Sequence, residues 1–83
     1  MNDFTEKQRK CLTFFKNNLA LFLADSSLIN RHVVIADEKI QGSFDTLDAA
    51  LVYAIDNFRK GDYIIQQIIN EAGIINFVKA AIV

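Results

Sequence analysis

The fold of this chain is decided by residues 31–51, which read RHVVIADEKIQGSFDTLDAAL. The β-branched run from Val33 to Ile35 is too short for a helix and is typical of a well-buried strand. A polar break follows, and residues 40–44 then alternate with the period of a second strand. This alternation predicts one face made of Ile40, Gly42 and Phe44. The segment therefore predicts a β-hairpin that leads directly into a helix.

The helix that follows the hairpin is the clearest element of the sequence. Asp45 and Thr46 offer a cap, and Asp48 adds acidic charge to the first turn, where the helix dipole favours it. At the other end, cations precede Gly61, which is able to take a left-handed cap. The apolar stripe that fits the helical period is Leu47, Ala50, Leu51, Ala54, Ile55 and Phe58.

A further helix is predicted before the hairpin, and two more strands after it. Residues 3–25 open with Asp3 and Glu6, a spacing that allows reciprocal capping, and continue with an amphipathic apolar stripe. Residues 62–69 are rich in β-branched and aromatic residues and predict a third strand, and residues 74–78 predict a fourth. The stripe of the first helix is Cys11, Leu12, Phe15, Leu19, Phe22 and Leu23.

These elements predict a single α+β domain over residues 1–83 in the order α-β-β-α-β-β. Short, uncrossed connections give a four-stranded antiparallel sheet in strand order 2-1-3-4, with two helices on one face. Such an arrangement leaves the other face of the sheet bare.

The composition is apolar for so short a chain. Hydrophobic residues make up 52% of the 83 residues, and the mean hydropathy is +0.19. Since a chain this small buries only roughly 60% of its unfolded surface, we expect part of the surplus to lie at an interface with a second copy or another protein. The expected interface residues are Ile65, Gln67, Ile69, Ile74 and Phe77.

Charge and cysteine content favour a cytoplasmic protein. The net charge of −1 and the pI near 5.6 give no general attraction to nucleic acid or anionic lipid. Cys11 is the single cysteine, so no intrachain disulfide forms and a reducing compartment is expected. The amino-terminal residues lack the apolar stretch of a signal peptide, and the apolar runs are shorter than the ~20 residues of a membrane span.

Residues 31–69 resemble a group of short prokaryotic domains of unknown function. The resemblance rests on Val33-Val34-Ile35, on a junction and helix start that read GSFDTLDAAL over residues 42–51, and on residues 63–68. The sequence departs from the family pattern at residues 31–32, where a lysine and an aromatic residue are usual, and at Glu38, where a turn glycine is usual. The resemblance implies a ββαβ core, and it implies no catalytic residues.

The residues that carry chemistry elsewhere are better explained here by structure. A catalytic pair of Cys11 and His32 requires the thiol within hydrogen-bond reach of the imidazole, and the expected roles are instead an apolar helix position and a strand start. Asp45 with Asp48 suits a helix start, and Asp37 with Glu38 suits an exposed turn. We therefore predict no enzyme activity, no metal and no cofactor.

Two functions remain open at this stage. The leading hypothesis is a protein-interaction module, a homodimer that pairs through the bare sheet face or the C-terminal strand. The alternative is a small regulatory nucleic-acid-binding protein, which the interleaved acidic residues disfavour. Its candidate residues are Lys7, Arg9, Lys10, Lys16, Arg31, Arg59 and Lys60. Gln66 and Gln67 face opposite sides of their strand, so one amide lies among apolar neighbours and is expected to find a hydrogen-bond partner.

Overall fold

The computed structural model describes residues 4–69, which form an α+β structure of two helices and a three-stranded antiparallel sheet. The elements are α1 (Glu6–Leu23), β1 (His32–Ala36), β2 (Lys39–Phe44), α2 (Leu47–Asn57) and β3 (Ile64–Gln67). The predicted α+β class is confirmed, and the strands lie in the order β2-β1-β3. The predicted fourth strand, residues 74–78, lies outside the described residues.

The start of α1 differs from the prediction. Thr5 is the N-cap: its hydroxyl accepts the backbone N–H of Gln8 at 3.1 Å, and the Gln8 side-chain oxygen accepts the backbone N–H of Thr5 at 3.0 Å. This is a reciprocal capping box. The prediction that Asp3 and Glu6 form such a pair is wrong, because the helix begins at Glu6 and the pair falls two residues later.

The same two residues fasten α1 to the loop that precedes β3. Gln8 is 7% exposed, and its Nε2 donates to the carbonyl of Tyr63 at 3.1 Å. The Thr5 hydroxyl donates to the carbonyl of Gly61. Because a glutamine amide can donate and accept at once, Gln8 both caps its own helix and satisfies a distant backbone group.

A two-residue turn joins β1 to β2. Asp37 and Glu38 have φ angles of +55° and +59°, between the paired residues Ala36 and Lys39. Positive φ at both central positions is the requirement of the type I′ hairpin turn, whose twist matches that of the strands. Glu38 adopts this conformation although its Cβ disfavours it.

A bulge in the hairpin divides the apolar residues of β2 between the two faces of the sheet. Val34 pairs with Gly42, whereas Ile35 pairs with Ile40, so Gln41 is the extra residue. Ile40 therefore packs with α1 and Phe44 with α2. The prediction that Ile40, Gly42 and Phe44 share a face is wrong for Ile40, because the extra residue reverses the alternation.

The two helices lie on opposite faces of the sheet, which corrects the prediction that both cover one face. Alternate residues of β1 pack on different helices: Val33 and Ile35 contact the α1 cluster, and Val34 and Ala36 contact the α2 cluster. All four are at most 1% exposed. The physical reason is that β1 is apolar on both sides, so each side requires its own cover.

Helix α2 packs through small residues at the centre of its buried face. Ala50 and Ala54 are fully buried against the sheet, with Leu47, Leu51 and Phe58 around them. Ile55, predicted to belong to this face, is 64% exposed. At about 100° per residue it lies roughly 120° from the midpoint of Ala50 and Ala54, beyond the reach of the sheet.

The end of α2 also comes earlier than predicted. The helix ends at Asn57, and its C-cap residue Phe58 is extended. Gly61 does take a positive φ, +94°, but in the turn after the helix instead of at its cap. Arg59 and Lys60 therefore lie just beyond the helix, both exposed.

Side chains bind two carbonyl groups of β2, an edge strand of the sheet formed by residues 4–69. The Arg31 guanidinium donates from Nη2 to the carbonyl of Ser43 and from Nε to its hydroxyl, each at 2.7 Å, and it also pairs with Asp45. The Tyr53 hydroxyl donates to the carbonyl of Gln41 at 3.4 Å. Edge strands are commonly protected in this way, with a charge and a bulge.

Candidate interaction surface

An exposed apolar pair marks the outward face of α2. Val52 is 61% exposed and Ile55 is 64% exposed. Because residues three apart are neighbours on a helix, the two side chains form one continuous patch. Ala49, one turn before Val52, is exposed as well. The patch exists because Ala50 and Ala54 turn the opposite side of the helix to the sheet.

Acidic residues lie on both sides of this patch along the helix. Asp48 is exposed one turn before Val52, and Asp56 is exposed one turn after it. Arg59 and Lys60, also exposed, follow the extended C-cap Phe58 and lie outside the helix. We call the set Asp48, Ala49, Val52, Ile55 and Asp56 the α2 outer face.

Leu21 is another exposed large hydrophobic residue, at 70%. It lies near the end of α1, which packs on the other face of the sheet from α2. Single exposed apolar side chains are common on protein surfaces and require no special explanation. A neighbouring pair such as Val52 and Ile55 is the more informative signal.

The residues predicted from the sequence to form an interface differ in their burial. Ile65 is 1% exposed and packs in the α2 cluster, so the structure places it in the core. Gln67 is half-buried and donates from Nε2 to the carbonyl of Asn30 at 3.1 Å. Ile69 is half-buried. Ile74 and Phe77 lie outside the described residues.

Gln66 is the glutamine that faces the interior. It is 1% exposed, and β1 pairs it with Val33, which places it on the α1 side of the sheet. Within residues 4–69 neither its Oε1 nor its Nε2 has a hydrogen-bond partner. The predicted apolar surroundings are therefore found, and the predicted partner is not found in this part of the chain.

Cys11 and His32 are far apart. Cys11 is 1% exposed in the α1 cluster, near the hairpin turn, and burial raises the pKa of its thiol. His32 begins β1 at the opposite end of the strand and alternates onto the α2 side. Burial lowers the pKa of the His32 imidazole. The two side chains cannot form a thiolate–imidazole pair in this arrangement.

The acidic pairs considered in the sequence have structural roles. The cap of α2 is Thr46, whose hydroxyl accepts the N–H of Ala49 at 3.1 Å, and Asp45 instead pairs with Arg31. Asp37 and Glu38 form the hairpin turn. Over residues 4–69, no group of three or more histidine, cysteine, aspartate or glutamate side chains is placed to hold a metal ion.

Two shallow grooves lie beside α1. The larger, of about 450 Å³, is lined by both signs of charge, Arg9 and Lys10 together with Glu6 and Glu38. The smaller, of about 280 Å³, lies between α1 and the hairpin turn. Two of the basic residues considered for nucleic-acid binding form ion pairs with carboxylates: Arg31 with Asp45, and Lys7, which lines the smaller groove, with Asp62 at 3.8 Å. The grooves therefore lack the uniform positive charge that a phosphate backbone requires.

Comparison with protein families, with characterised proteins and with solved structures finds no match to this chain. Neither helix in the described part of the chain is long and apolar enough to cross a membrane.

The α2 outer face is the feature that sequence reasoning missed. The apolar stripe predicted for α2 includes Ile55 and omits Val52. The sequence does contain a sign of this face in Val52. A β-branched apolar residue on the polar side of an amphipathic helix makes the apolar surface of the helix wider than one packing surface can bury.

Proposed function

We propose that this protein is a non-catalytic interaction module that associates with a second copy of itself through the α2 outer face. The observation that carries the proposal is the adjacent exposure of Val52 and Ile55 on a short helix whose other side is fully packed. Apolar patches of this kind, rimmed by charge, are typical of protein–protein contacts.

The surface proposed here lies on α2, whereas the sequence predicted an interface on a bare face of the sheet. Each face of the three-stranded sheet packs against a helix, so within residues 4–69 a sheet face offers no docking surface. A free, buried Cys11 is compatible with the cytoplasm, where we propose that the protein acts.

The expected association is weak. An 11-residue helix is only about 16 Å long, so one helix–helix contact buries less than the roughly 1,600 Å² of a standard interface. We expect a dissociation constant between about 10 µM and 1 mM. Such a contact suits a reversible module better than an obligate dimer.

The test is molar mass by light scattering from about 10 µM to about 1 mM protein, for the native chain and for variants. Val52→Lys and Ile55→Lys place a charge in the centre of the contact and are expected to leave a monomer throughout. Leu21→Lys is the matched control, because it makes the same kind of change at an exposed apolar position on α1, and it is expected to associate as the native chain does.

A native chain that stays monomeric over this range contradicts the proposal. So does association that survives Val52→Lys and Ile55→Lys together, since the contact then lies elsewhere. Circular dichroism on each variant establishes that the fold is kept; both positions are more than half exposed, so the change is expected to be tolerated.

A further inference from the structure

We draw no further inference here: the strongest candidate, the buried Gln66 amide between α1 and the sheet, carries none, because neither groove beside α1 is lined by it and nothing in residues 4–69 shows what binds it.

Discussion

Glu38 has a backbone conformation that its side chain disfavours. Its φ of +59° is in the left-handed region, at a hairpin position where glycine or asparagine is usual. The preceding Asp37 tolerates such angles better, because a short polar side chain hydrogen-bonds locally. The turn is thus held by the strands on either side of it.

Replacing Glu38 with glycine is expected to stabilise the protein. Relief of the left-handed strain outweighs the greater freedom of glycine in the unfolded chain, and we expect a gain of about 1 kcal/mol in the free energy of unfolding, measured with urea. Lys39→Gly, one residue later and without a positive φ, is the control and should lose stability. An unchanged or lowered stability for Glu38→Gly would contradict the turn geometry.

His32 gives the stability a dependence on pH. Burial lowers the pKa of its imidazole in the folded protein below the ordinary value near 6.5, so the unfolded chain binds a proton first as the pH falls. Stability is therefore fully present above about pH 6.5 and declines through the window below it. His32→Gln should flatten this decline.

The measurement is the urea midpoint between about pH 7 and pH 5 for both proteins, together with the NMR titration of the imidazole. His32 is the only histidine in the sequence, so its resonances need no assignment against others. A titration midpoint at or above 6.5, or a decline of equal slope in His32→Gln, would show that burial does not act on this group.

At the scale of elements, the two helix starts show how far local patterns can be trusted. The sequence predicts a cap at the start of both helices and an acidic first turn for the second, and for the second helix both are confirmed, at Thr46 and Asp48. For α1 the same logic selected Asp3 and Glu6, although Thr5 and Gln8 have an equally suitable spacing. Local propensity alone does not decide which of two neighbouring residue pairs caps the helix. The hydrogen bond from Gln8 to Tyr63, 55 residues away in the sequence, favours the pair Thr5 and Gln8.

Because Gln8 connects α1 to the loop before β3, its replacement is expected to lower the free energy of unfolding substantially. Gln8→Ala removes the side-chain half of the capping box, the bond from the Thr5 N–H, and leaves the Tyr63 carbonyl without its buried donor, so we expect a loss of about 2 kcal/mol in the free energy of unfolding. Arg9→Ala, an exposed neighbour, is expected to cost less than about 0.5 kcal/mol. Equal losses in chemical denaturation would mean that Gln8 does not hold the two elements together.

At the scale of the whole molecule, the sequence predicts the α+β class and the antiparallel order of the three strands that the structure describes, but not the position of the helices. The unbroken apolar run of residues 33–36 indicates a strand that is covered on both sides, because a strand with one exposed face alternates between apolar and polar residues. Topology rules restrict the order of strands more strongly than they restrict the face on which a helix lies. The α2 outer face was hidden for a related reason, since which side of a helix is buried depends on where the sheet lies.

The protected edge of β2 limits how the sheet can grow. A β-sheet polymerises only if each added copy offers a fresh, unpaired edge to the next, as in cross-β fibres. Within residues 4–69, the Ser43 and Gln41 carbonyls accept hydrogen bonds from Arg31 and Tyr53, so a strand that adds to β2 has to displace these side chains. A chain that is 52% hydrophobic thereby gains resistance to fibrous aggregation from one arginine and one tyrosine.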